Sequence, residues 1–272
     1  MKTRGGGAYI KSMGPLFNRF GKVMVVAVLL SASAFATSAY ATHSWGSYHW
    51  ARTANPFNLK LGDNVSAAWD GYLRTTSSDW STSSVLKTAI TSGAGLRKCG
   101  AVLGRVEVCN DTYGNNGWLG LASTWSSGSH ITKATVKLND TYFNKATYNT
   151  TAWKNMVMCQ EVGHTFGLDH QDENQSNANL NTCMDYTNRP NSNQYPNAHD
   201  YEQLELIYAH LDGSTTVSQI TSSSPANANA TNEDDLGKVV RKDSKGRPTH
   251  YERDLGKGEK IFTFIIWADS QG

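Results

Sequence analysis

The sequence predicts an α+β fold, and three observations carry that expectation. Apolar residues recur at helical spacing in three stretches: Asn64–Tyr72, a segment from Thr150 or Thr151 to about Phe166, and roughly His199–His210. Short β-prone segments broken by Gly, Asn and Ser lie between the first two, around Val85–Ile90, Gly104–Cys109 and Trp118–Trp125. In Ile131–Leu138, Ala134, Val136 and Leu138 alternate with Thr135 and Lys137, the pattern of a half-buried strand.

The chain opens with Lys2, Arg4, Lys11, Arg19 and Lys22, then the apolar run Val23–Leu30, then small residues ending Ala39-Tyr40-Ala41. Basic, apolar and Ala-x-Ala in that order is the layout of a secretory signal peptide, so residues 1–41 are expected to be removed after Ala41. The run is too short to span a bilayer comfortably, and no stable membrane insertion is expected after cleavage. An extracellular or periplasmic location follows.

Residues 42–212 read as one domain. Its first helix gathers Ala67, Ala68, Trp69, Tyr72 and Leu73 on one side. The second starts at Thr150 or Thr151, either a good N-cap, and Gly167 stands where it would stop. The last puts Tyr201, Leu204, Ile207 and Tyr208 on one face. Residues 213–232 are a Ser, Thr, Ala and Asn linker, and 233–272 a small β-rich tail with strands near Lys238–Lys242, Thr249–Arg253 and Ile261–Trp267.

With 39% hydrophobic residues, eight Trp and twelve Tyr, a packed aromatic core is within reach. The formal charge of +2 is set by the leader: without its five cations the remainder is net −3. That balance offers no basic surface for nucleic acid. Four cysteines, Cys99, Cys109, Cys159 and Cys183, fall in the exported part, where an even number favours two disulfides. Three pairings are open, and Cys99–Cys109, which would close a short loop, is the favoured local one.

The chemistry concentrates in Cys159-Gln-Glu-Val-Gly-His-Thr-Phe-Gly-Leu-Asp-His170. On a helix, Gln160 and His164 lie one turn apart on one face and can reach a single ion. Glu161 beside them is suited to polarise a water. A sharp turn at Gly167 would bring His170 back to the same point, giving three ligands and one open position, the arrangement of a catalytic zinc.

Here the sequence resembles the metzincin metalloproteases, whose H-E-x-x-H-x-x-G-x-x-H motif is matched at Glu161, His164, Gly167 and His170. Cys183-Met-Asp-Tyr186 looks like their methionine turn, with Met184 as the apolar floor under the metal. Tyr186 matches the tyrosine of the astacin- and serralysin-like branch, which implies a part in stabilising the tetrahedral intermediate. Gly117–Ala122 and the strand after it resemble a substrate-binding edge. The resemblance implies a twisted mixed sheet with an antiparallel edge strand, a backing helix, a zinc helix and a C-terminal helix. It also gives a reason for a Cys159–Cys183 bridge, which would tie the zinc helix to the methionine turn. It implies bound Zn2+, Glu161 as general base, and a protein or peptide substrate; a monomer is expected.

Gln160 departs from the motif, which has histidine there. Three accounts stay open: ligation through the amide oxygen; a substitute donor among His199, His130, Asp172 and Tyr186; or a degenerate site on a secreted binding protein. A zinc hydrolase acting on a non-peptide bond is a further alternative. Elsewhere, His43 and His49 beside Trp45 and Trp50 could form a surface metal or ligand patch, but such aromatics more often pack, and they are expected to pack onto the domain. Asp169, Asp172, Glu173, His210 and His250 are expected to be solvated.

Overall fold

In the computed structural model, residues 1–2, 5–7, 42–218 and 236–269 are described. The expected signal peptide beyond its first residues, and the linker from 219 onward, lie outside the described residues. Thr42–Gly272 forms one compact unit.

Its strands are β1 (His49–Trp50), β2 (Phe57–Asn64), β3 (Leu86–Ser92), β4 (Arg105–Asp111), β5 (Trp118–Ser127), β6 (His130–Asn139), β7 (Lys238–Lys242), β8 (Pro248–Gly256) and β9 (Glu259–Trp267). The helices are α1 (Asp70–Trp80), α2 (Asp140–Phe143), α3 (Thr151–His164) and α4 (Ala198–Ile207). One mixed sheet runs β3-β2-β4-β6-β5-β9-β8-β7, with β1 also on β6. The β3-β2-β4-β6 half is parallel, and β5 turns the sheet antiparallel from β6 onward to β7.

Strand β2 was not expected. Phe57, Leu59 and Leu61 alternate with Asn58, Lys60 and Gly62, and all three apolar side chains are buried. This corrects the helix predicted at Asn64–Tyr72: Asn64 ends the strand, and the helix runs from Asp70 to Trp80. Its second half reads Thr-Thr-Ser-Ser-Asp, a poor helix-forming run that hid it. The helix is held by its buried stripe, Leu73, Thr76, Ser77 and Trp80, at i, i+3, i+4 and i+7.

β5 is buried at every residue but Ser127. The reason is the tail. Its three strands extend the main sheet, and β9 takes the outer edge of β5 from Trp118↔Trp267 to Ser127↔Glu259. Along β9, Phe262, Phe264 and Ile266 join the main core, while Ile265 packs with Trp118, Leu121, Leu236 and Tyr251 on the other face. Among the described residues no helix is long and apolar enough to cross a membrane.

The disulfides are Cys99–Cys109 and Cys159–Cys183. The second joins α3 to the Cys183–Tyr186 turn across 24 residues. Replacing both Cys159 and Cys183 by Ser is expected to cost about 3 kcal/mol through the freed loop entropy of the unfolded chain. Denaturant melts of the oxidised protein and the variant would measure it, and coincident curves would deny the bridge that role.

Candidate metal centre

Helix α3 begins cleanly, with the Thr150 side chain accepting from the Trp153 N–H. Its other end is buried, so its last carbonyls need partners from elsewhere. They find them in side chains distant in sequence. Trp45 Nε1 donates to His164 O (3.1 Å), Trp50 Nε1 to Thr165 O (2.8 Å) and the Tyr208 hydroxyl to Phe166 O (2.9 Å). Trp80 Nε1 donates to Cys159 O (3.1 Å). Four aromatic donors thus fix the helix that carries Gln160, Glu161 and His164, and they account for the buried N-terminal aromatics.

Gly167 ends the run at φ +101°, a conformation few side-chain-bearing residues adopt, and a Cβ there would meet Tyr48 O at 2.6 Å. The chain then turns back. Leu168 O comes to 2.9 Å from His164 Nδ1, and His170 stands against His164 with ring centroids 4.5 Å apart at 87°. At Gly163 a Cβ would lie 2.6 Å from Met184 Sδ, so only a glycine lets the methionine sit under the helix. Met184 is fully buried.

The hydrogen bonds orient each donor. Leu168 O can only accept, so His164 Nδ1 carries the proton and its Nε2 holds a lone pair. Glu173 Oε1 holds His170 Nδ1 in the same way at 3.0 Å. Cys183 O accepts from Gln160 Nε2 at 2.7 Å, which leaves the amide oxygen free. His164 Nε2, His170 Nε2, Gln160 Oε1 and both oxygens of Glu161 are buried without a hydrogen-bond partner. Buried polar atoms are seldom left so, and five on neighbouring side chains mark a place built for a cation. The donors fit zinc, with two imidazole nitrogens and one neutral oxygen, each histidine fixed through its second nitrogen.

Burial holds His164 and His170 well below the usual imidazole range. The neighbouring His170 adds to this at His164, and Arg241 adds to it at His170. Both are therefore neutral, as metal ligands must be. Burial pushes Glu161 well above the usual carboxylate range, partly offset by the backbone at Ile266 and Ala122, which faces the carboxyl outside hydrogen-bond geometry. Tyr186, ring to ring with His170 at 4.5 Å, is also raised by burial and then by Glu161.

The tail closes this centre. Phe264 stacks on His164 (4.2 Å, 10°) and on His250 (4.2 Å, 23°), and two rings stacked that closely must take its two faces. The Tyr186 hydroxyl donates to Ile265 O at 2.5 Å. Arg241 pairs with Asp169 at 2.9 Å, and Thr249 Oγ1 donates to Glu173 Oε1 at 3.2 Å. Gln160, Glu161 and His164 are 0% exposed and His170 is 4%.

The structure corrects two expectations of solvation. His250 is buried because Trp45, Phe262 and Phe264 surround it, and Asp169 because it receives the tail's Arg241. Sequence reasoning gave no role to Arg241, Phe264 or Ile265. The apolar run Ile261–Trp267 marks a buried strand but carries no address.

No protein-family model matches the chain, and no curated protein matches it. Among solved structures it is similar to myroilysin, with 11% identity and a TM-score of 0.38, over 61% of this chain and 98% of that one. It is also similar to high choriolytic enzyme 1, a hatching enzyme zinc-protease from Oryzias latipes (Medaka fish). There the identity is 10% and the TM-score 0.33, over 61% of this chain and 96% of that one.

Proposed function

We propose that this chain is an exported zinc-dependent endopeptidase held latent by its own C-terminal strand. The observation that carries the reading is the set of partnerless donor atoms beside Glu161, sealed by β9 lying antiparallel along β5. Gln160 Oε1, His164 Nε2 and His170 Nε2 would hold the zinc. Bound there, zinc would make a water acidic enough at neutral pH to attack an amide.

The chain's own groups do the rest. Glu161, once release of the tail relieves the burial that holds it neutral, accepts a proton from the attacking water and delivers it to the leaving nitrogen. Tyr186 donates to the oxyanion once its hydroxyl is released from Ile265 O. An extended peptide would bind as β9 does, backbone to backbone along β5. In the latent chain Ile265 O therefore stands in for a substrate carbonyl at Tyr186.

A rival reading, a binding protein on a disused protease scaffold, draws on Gln160. Its amide is anchored to Cys183 O, and a glutamine oxygen is a weaker zinc donor than imidazole. Metal analysis of the purified protein separates the two. His164→Ala is expected to lose one equivalent of zinc relative to wild type. Gln160→His is expected to tighten zinc at that centre by at least tenfold. Equal zinc in wild type and His164→Ala would remove the catalytic reading and leave the binding scaffold.

A further inference from the structure

A second cluster of ligand-type side chains lies in the same unit and uses none of the residues above. His49 opens β1 and His130 opens β6, and the two are register partners in the parallel pairing of those strands. His210 and Asp212 follow α4. Three imidazole nitrogens converge on one carboxylate oxygen, Asp212 Oδ1: His49 Nε2 at 3.3 Å, His130 Nε2 at 3.3 Å and His210 Nε2 at 3.6 Å. His49 Nε2 and His210 Nε2 are 3.2 Å apart.

The surroundings prepare this oxygen. Arg52 occupies the other one, donating to Asp212 Oδ2 from its backbone N–H (3.1 Å) and from Nη1 (2.7 Å). A second guanidinium nitrogen bonds to His210 O, and Asp212 N–H donates to Arg52 O at 2.9 Å. Oδ1 is thereby turned toward the histidines. His49 Nδ1 lies 2.7 Å from Ser47 O, which can only accept, so a neutral His49 presents a lone pair at Nε2. That lone pair faces a carboxylate oxygen and a second imidazole nitrogen, an arrangement that calls for either a proton or a metal cation between them.

The spacing suits zinc. Ligand bonds of ~2.0–2.2 Å in a tetrahedron put neighbouring donor atoms about 3.4 Å apart. Within the trio of His49, His210 and Asp212 the measured separations, 3.2 to 3.6 Å, bracket that edge, whereas His130 Nε2 reaches Asp212 Oδ1 from outside the trio. Two imidazole nitrogens and one carboxylate oxygen favour zinc over calcium or magnesium, which take oxygen ligands.

We propose that His49, His210 and Asp212 form a zinc site separate from the Gln160–His170 centre, with His130 beside it as a partner of Asp212. It staples the first strand of the domain to the segment that leaves the last helix. The exposed His210 forms the side from which the ion enters.

The test uses the full chain carrying His164→Ala, so that the outcome does not depend on the catalytic centre. With zinc as the probe, this protein is expected to bind one equivalent and to melt at a higher temperature than after chelation. Adding His210→Ala, an exposed position whose loss spares the core, is expected to weaken zinc at least tenfold and to abolish the chelator-sensitive shift in Tm. Adding His130→Ala is expected to weaken it less. No zinc on the His164→Ala protein would overturn the proposal, leaving a hydrogen-bonded imidazole cluster. So would zinc retained unchanged after His210→Ala.

Discussion

Phe264→Ala is expected to turn the zinc-loaded full chain from a weak peptidase into a strong one, with hydrolysis of an extended peptide rising roughly 100-fold. Phe264 is fully buried between two imidazoles, on the strand that blocks β5. Truncating a buried phenylalanine costs about 3–5 kcal/mol. The cost falls on the docked tail, because His164 beneath it belongs to a helix that Trp50, Trp80 and Tyr208 anchor independently of the tail. Each ~1.4 kcal/mol moves the docked-to-released ratio tenfold, so several decades of latency are available to be lost. The gain stops when release is complete, which sets the expected ceiling. The same substitution with Glu161→Gln is expected to stay inactive, which ties the new activity to this centre. Hydrogen exchange in β9 that rises without any gain in hydrolysis would sink the latency reading and favour the disused scaffold.

The centre itself was open to sequence reading because its information is local. Gln160, Glu161 and His164 share one helix, and Gly167 and His170 follow within six residues, so spacing alone brings them together. The strands from Val85 to Leu138 were legible for the same reason: alternation and Gly or Asn punctuation act over a few residues. Two kinds of feature were not. In α1 the apolar signal is thinned by Thr75–Asp79, and only contact with the rest of the core reveals Thr76 and Ser77 as buried. The docking of β9 on β5 joins residues about 140 apart, and an apolar strand says that it will be covered without saying by what. His250 illustrates the consequence. In a short tail it reads as solvated, and it becomes a core residue only when its strand joins the sheet. The His49–Asp212 cluster is equally non-local, assembled from two strand starts and the exit of a helix.

On the function proposed, burial and latency meet at the same strand. Histidines kept neutral by burial would be ready to take a metal, yet the same burial would exclude a peptide. Tail and substrate would compete for one surface, since β9 satisfies the outer backbone groups of β5, the Tyr186 hydroxyl and the apolar faces of two imidazoles at once. Opening the centre therefore requires something that destabilises the tail while leaving α3 intact, and His250 supplies a chemical handle of that kind.

Acidification is expected to release the tail through His250. Its ring is packed against Trp45, Phe262 and Phe264, and both nitrogens lack a hydrogen-bond partner. Burial first, and then the neighbouring His170 and the positive charge of Arg241, lower its pKa from 6.5 to about 3. In a released tail the same imidazole would titrate near 6.5. Between those values the released tail binds a proton that the docked tail refuses. The docked state therefore keeps its full stability above pH 6.5 and loses it as pH falls toward 3, by up to about 4 kcal/mol. Two neighbours run the other way. Burial raises Asp169 to about 6 and Glu173 to about 7, against the pull of Arg241, so their contribution is largest in acid and declines as pH rises through those values. The contribution of His250 is isolated by comparing wild type with His250→Leu, which fills the apolar pocket without a titrating group and leaves both carboxylates in place. The ratio of wild-type to variant hydrolysis is expected to rise roughly 20-fold between pH 7 and pH 5, and by about tenfold per unit in the acid part of that range. A ratio that stays flat from pH 7 to 5 would mean that His250 is already protonated when docked, or that the tail does not govern access to the centre. Hydrogen exchange in β8 and β9 of the variant distinguishes the two. Faster exchange on loss of the imidazole points to a charged His250 that was holding the tail, and unchanged exchange to a tail without control over the centre.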